Sequence, residues 1–171
     1  MKFRHEGRQE TLLIEWKYTE TYGGQIAPAG NPTRVARYEK LAFEPDGPLK
    51  ADLGLALRHF FYEPFYQLIR QQMLAYQMQK AAEDGSERVR VLHISPAANI
   101  ALKAVTAPAL CSFGGDAFSA FSRVLVRPED FVACSTETLF GPLVAISRGG
   151  DWADYLVDRY KFLSDLPAKS Q

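Results

Sequence analysis

Cysteine is almost absent from this chain, with only Cys111 and Cys134 among 171 residues. The two lack CxxC spacing and sit in apolar surroundings, which argues against a disulfide framework or a cysteine zinc site and fits a reducing compartment. Histidine is nearly as scarce, and His5, His59 and His93 show no metal-ligand spacing. Neither sign of charge is in excess. Lys plus Arg and Asp plus Glu both total 20, so bulk electrostatics announces neither a nucleic acid nor a membrane. No apolar run approaches the roughly 18 residues of a membrane span, and the opening "MKFRHEGRQE" has no apolar core for a signal peptide. A soluble, cytoplasmic protein is expected. A G-x-S-x-G elbow is also lacking, and "GGDAF" is too poor in glycine to cradle phosphate. There is no internal repeat and no low-complexity segment.

What remains is 47% hydrophobic and 12% aromatic, enough for one core and too short for two comfortable domains, so residues 1–171 read as a single domain. "KFRH", a turn at Gly7 and "ETLLIEWKYT" predict a hairpin. Residues 21–32 are crowded with Gly and Pro and read as a loop. A short helix follows over "TRVARYEKLAF" with Thr33 as its cap, and Asp52 opens a further turn through "LGLALRHF". The strongest helix covers about residues 64–84. Pro64 suits its first position, Gly85 its stop, and Phe65, Ile69, Met73 and Tyr76 recur at helical spacing. "RVRVLHIS", 88–95, predicts an interior strand that Pro96 ends. Asp116 opens a helix to about residue 126, "EDFVACS" is a strand or an extended connection, and 136–146 is another helix. Asp151 caps a last helix whose packed side is marked by Trp152, Tyr155, Leu156, Tyr160 and Leu163.

The chemistry concentrates in "LIEWKYTE", residues 13–20. Alternation along a strand puts Leu12, Ile14, Trp16 and Tyr18 on one face, read as core, and Leu13, Glu15, Lys17 and Thr19 on the other. Glu15 and Lys17 then leave the backbone roughly 6 to 7 Å apart, two strand rises. That spacing suits a carboxylate holding a divalent cation while an ammonium reaches the same phosphate or water. The triplet alone is a weak motif. With eleven Glu and eight Lys, roughly half an occurrence of Glu-x-Lys is expected by chance, and such neighbours on a two-sided strand are usually solvated.

A hairpin whose second strand carries Glu-x-Lys, followed by a long helix and an apolar strand, resembles the PD-(D/E)xK nuclease superfamily, whose core runs αβββαβ. The likeness is to restriction endonuclease-like proteins, with "LIEWKYTE" as the (D/E)xK half, "PFYQLIRQQMLA" as the later helix and "VLHIS" as the later strand, and it extends through "WADYLVDRYKFL". The resemblance implies an α/β fold, a mixed sheet flanked by helices, and magnesium-dependent hydrolysis of DNA phosphodiesters. It makes Glu15 a metal ligand and catalytic, Lys17 the catalytic lysine, and the backbone carbonyl of Trp16 a further metal contact. Glu20 lies in the similar segment without an assigned role. Restriction-like enzymes often work as dimers, so a homodimer is allowed by analogy.

The sequence departs from that pattern at the superfamily's other half, an aspartate on the strand before Glu-x-Lys. Only Glu6 and Glu10 precede Glu15. Glu6 lies in the turn, and Glu10 by parity projects to the Trp16 side. The first helix and first strand of the core are also missing from the pattern, which reads as an N-terminal truncation or as a decayed site. One carboxylate and one carbonyl would hold magnesium weakly or not at all. The alternative function is therefore a catalytically dead relative that binds nucleic acid or a protein, and a plain structural domain is the third reading. Gln67 and Gln71, one helical turn apart, could read base edges or line the cleft. Arg34, Arg37 and Lys40, and separately Arg88 and Arg90, form basic clusters that could grip phosphates and are more often surface solubility. His93 reads as a near-core histidine.

Overall fold

The structure is a computed structural model and describes residues 1–18, 32–147 and 149–164, the Arg34 side chain excepted. Four strands form one mixed sheet in the order β1 (Lys2–His5), β2 (Arg8–Trp16), β3 (Arg88–Ser95) and β4 (Phe131–Ser135). β1 and β2 are antiparallel, and β2, β3 and β4 are mutually parallel. Glu6 and Gly7, both with positive φ (51° and 83°), make the two-residue turn between His5 and Arg8. Positive φ at both central positions matches the right-handed twist of the strands, and glycine adopts it without a Cβ clash.

Each parallel connection needs a crossover, and helices supply both. α1 (Pro32–Ala42) and α2 (Phe65–Lys80) lie between β2 and β3, and α3 (Ala117–Val124) lies between β3 and β4. The main core joins Phe65, Leu68, Ile69 and Met73 of α2, Phe118 and Phe121 of α3, and Val89, Val91 and Phe131 of the sheet. α4 (Thr136–Ile146) and α5 (Asp151–Arg159) follow β4. They meet the opposite face, where Trp16 stacks on Phe140 at 4.7 Å and on Tyr160 at 5.4 Å. The result is the α/β architecture expected above, a mixed sheet with helices on both sides.

Several local expectations need correction. α2 stops at Lys80 rather than near residue 84, because Ala82, Asp84 and Gly85 all take positive φ and turn the chain directly into β3. Pro32 opens α1, so Thr33 lies inside it, and Asp52 lies within a 3-10 turn, Ala51–Leu53. Asp116 does cap α3, accepting from the backbone N–H groups of Phe118 and Ser119. α5 begins after Gly150, not at an Asp151 cap. Its packed stripe is Ala153, Leu156, Val157, Tyr160 and Leu163, and Trp152 and Tyr155 are exposed. Counting from the large aromatics merges two adjacent stripes of one helix.

β2 presents its two faces the opposite way round from the expectation above. Ile14, Trp16 and Tyr18 stay 48%, 38% and 42% exposed, and Leu13 packs against the main core. The Leu13, Glu15, Lys17 side is therefore the one turned toward α2, and the side read as core faces the thinner α4–α5 layer. Both sides of β2 carry apolar residues, so alternation separates the faces without saying which helical layer each meets. Residues 19–31, including Thr19, Glu20 and most of the expected loop, lie outside the described residues.

Candidate active site

Glu15 and Lys17 come at the carboxyl end of β2, where Lys17 extends the ladder by donating its backbone N–H to Ile94. Their side chains meet. Lys17 Nζ lies 2.7 Å from Glu15 Oε1, with 12% of the lysine side chain and 32% of the glutamate side chain exposed. The pair is thus partly withdrawn from water, which strengthens its electrostatics relative to a surface pair. Glu15 opens into a cleft of about 490 Å³ against α1 and α2. Tyr38 and Leu41 of α1 form one wall, and Gln67, Arg70, Gln71, Met73, Leu74 and Gln77 of α2 the other. Gln67 and Gln71 therefore share the cleft with Glu15. The carboxyl end of a parallel sheet is where open α/β folds bind ligands, because the loops leave a crevice there.

A second carboxylate, Glu63, enters from the start of α2. Its Oε2 accepts from the backbone N–H of Gln67 at 3.3 Å, and its own carbonyl accepts from Thr106 Oγ1. Burial pushes the Glu63 carboxyl above its ordinary value, while the Gln67 N–H and the positive charges of Lys17 and Arg70 pull it back down. Sequence reading missed Glu63, which lies far from Glu15 along the chain. A crossover helix begins beside the carboxyl ends of the parallel strands it connects, so an acid at the head of α2 was the available signal. His93 is register-paired with Glu15 on the adjacent strand. It is buried, its ring 4.5 Å from that of Phe118.

The other acids and bases fall elsewhere. Glu10 is 2% exposed on the opposite face, ion-paired with Arg90 at 2.5 Å and near His5 at 3.5 Å. Arg88 pairs with Asp130 at 2.7 Å and with Glu129 at 3.3 Å. Arg88 and Arg90 are thus neutralised by acids on the side away from Glu15. Arg37 and Lys40 are exposed on α1, and the Arg34 side chain and Glu20 lie outside the described residues. His59 accepts from the backbone N–H of Ala56.

Among the described residues no group of three His, Cys, Asp or Glu is placed to hold a metal. Glu15 has one carboxylate oxygen, Oε1, committed to Lys17, which leaves Oε2 and the Trp16 carbonyl on the same strand, with Glu63 close enough to Lys17 to feel its charge, as candidate oxygen donors. Magnesium favours hard oxygens and retains several waters when few carboxylates are offered. The donor set fits a largely hydrated magnesium ion held weakly, and does not fit a dehydrated, tightly caged one.

A family model described as "Restriction Endonuclease associating with ARP" matches residues 1–161. Neither the curated proteins nor the solved structures give a match. No helix among the described residues is long and apolar enough to cross a membrane. The match spans nearly the whole chain and includes the Glu15–Lys17 strand, both crossovers and the α4–α5 layer, and the chain belongs to this restriction endonuclease family.

Proposed function

We propose that this protein is a magnesium-dependent endonuclease of the PD-(D/E)xK type that hydrolyses DNA phosphodiesters, with Glu15 and Lys17 as its catalytic pair. The observation that carries the reading is the 2.7 Å contact between those two side chains at the mouth of a cleft on the carboxyl edge of the sheet. Glu15 and the Trp16 carbonyl are the proposed metal contacts, and Glu63 is the proposed second carboxylate in place of the absent aspartate. Bound magnesium supplies Lewis acidity toward the phosphate and toward an attacking water. Lys17 orients that water and offsets the negative charge that grows on the phosphoryl oxygens, which is the larger part of phosphoryl-transfer catalysis. The partial burial of Lys17 keeps that charge close to the reacting group and poorly screened. Arg70, which lines the cleft, is the proposed phosphate contact. The family's description adds ARP as an associate, and an ARP partner is carried over to this chain on that basis.

A second reading has its own observation in favour. The sparse donor set among the described residues suits a catalytically dead relative that still binds nucleic acid or a protein. Incubation with supercoiled plasmid and magnesium separates the two. Nicking that disappears in Lys17→Ala and Glu15→Ala supports the enzyme. Retained plasmid binding without nicking supports the binding module, and equal nicking by all three proteins removes the pair from the mechanism.

A further inference from the structure

The cleft beside Glu15 has a chemistry that phosphodiester hydrolysis alone does not require. A backbone phosphate needs positive charge and a shallow groove. This cleft has about 490 Å³ of space, and Tyr38, Leu74, Gln67 and Gln71 are among the residues that line it. Among the described residues Arg70 is the one cationic side chain in its wall. The volume lies in the roughly 300 to 1,000 Å³ range of small-molecule sites, large enough for a nucleoside. Among the described residues Gln71 Oε1, shielded from solvent, has no hydrogen-bond partner. An unsatisfied buried acceptor is costly, and a terminal amide torsion is soft enough to turn toward an arriving donor. Amides match the donor and acceptor edges of a base, and an aromatic ring with aliphatic neighbours matches its faces.

We propose that this cleft seats a single unpaired nucleobase next to the scissile phosphate, so that the preferred substrate is nucleic acid carrying an unpaired nucleotide rather than a continuous duplex. This rests on the nuclease reading and deepens it by naming the substrate class. A base stacked in a duplex cannot enter such a cleft without being extruded, at a cost of a few kcal/mol that a bulge or a single strand does not incur. The Glu15–Lys17 pair at the cleft then faces the phosphate attached to the seated nucleotide.

The test measures binding in EDTA, so that cleavage does not intervene, to a matched duplex, the same duplex with one bulged nucleotide, and the single strand. The expected result is affinity for the bulged duplex and the single strand about tenfold or more above that for the matched duplex, in keeping with the unpairing cost. Leu74 is half exposed and tolerates a larger side chain. Leu74→Trp, which fills the cleft, is expected to abolish the preference for unpaired nucleotides while leaving the melting temperature unchanged. Equal affinity for all three ligands overturns the proposal, as does a preference that survives in Leu74→Trp. Equal affinity together with magnesium-dependent nicking overturns the base seat and leaves the nuclease reading standing. Failure to bind any of the three nucleic acids in EDTA overturns the base seat, and failure to nick plasmid with magnesium overturns the nuclease reading.

Discussion

Glu63, at the head of α2, has a carboxyl whose protonation is altered by its surroundings. Burial raises its value above the ordinary 4.5, so the folded protein holds that proton more tightly than the unfolded chain does. This contribution to stability is complete below the ordinary value and is lost as pH rises through the raised native one. Glu63→Gln stays neutral throughout, and its stability relative to the parent is expected to improve between about pH 4 and about pH 7. Urea unfolding at both pH values checks this. A difference running the other way would mean that the cations Lys17 and Arg70 outweigh burial. On the far face, Arg90→Leu leaves Glu10 buried without its strongest partner and is expected to cost about 3 kcal/mol. The double change Glu10→Leu with Arg90→Leu recovers most of that loss in the same unfolding measurement, because two apolar groups replace a desolvated pair. Glu15 and Lys17 were legible in the sequence because one strand carries both. Glu63 was not, because only the crossover brings it to Lys17.

Elements announce themselves where one local signal is decisive. Asp116, with two backbone N–H groups bonded to its side chain, fixes the start of α3. Asp116→Ala is expected to cost about 1 kcal/mol, read as a lower urea midpoint with unchanged slope. β3 and α4 fall where the sequence puts them, because a β-branched run between breakers and a polar cap before an apolar run have few alternatives. α2 overshoots in the sequence reading because Ala82 and Asp84 adopt positive φ, a conformation their side chains do not favour and composition does not reveal. The inverted faces of β2 have a different origin. Leu12, Ile14, Trp16 and Leu13 are all apolar, so the face holding Glu15 is decided by which side receives the crossover helix, a tertiary choice.

At the scale of the molecule, the two helical layers differ in what holds them. The α1–α3 side shares one large core with the sheet, whereas the α4–α5 side rests on Val144, Tyr160 and Leu163 and on the stacking of Trp16 with Phe140. Few buried apolar residues mean a low free energy of local opening. Hydrogen exchange is expected to proceed faster across residues 136–163 than across α2 and β3, and to accelerate further in Phe140→Ala. Uniform protection across both layers would contradict this. The mixed sheet flanked by helices was legible because the resemblance of "LIEWKYTE" and its following helix and strand implies that architecture, whereas the strand order β1-β2-β3-β4 was not read from the sequence. The central claim is that Glu15 and Lys17 form a working catalytic pair. Its most direct test is the initial rate of supercoiled-plasmid nicking at saturating magnesium, for the parent and for folded Lys17→Ala. Loss of a charge that stabilises the transition state predicts a decrease on the order of 100-fold or more, and a variant that nicks as fast as the parent would contradict it.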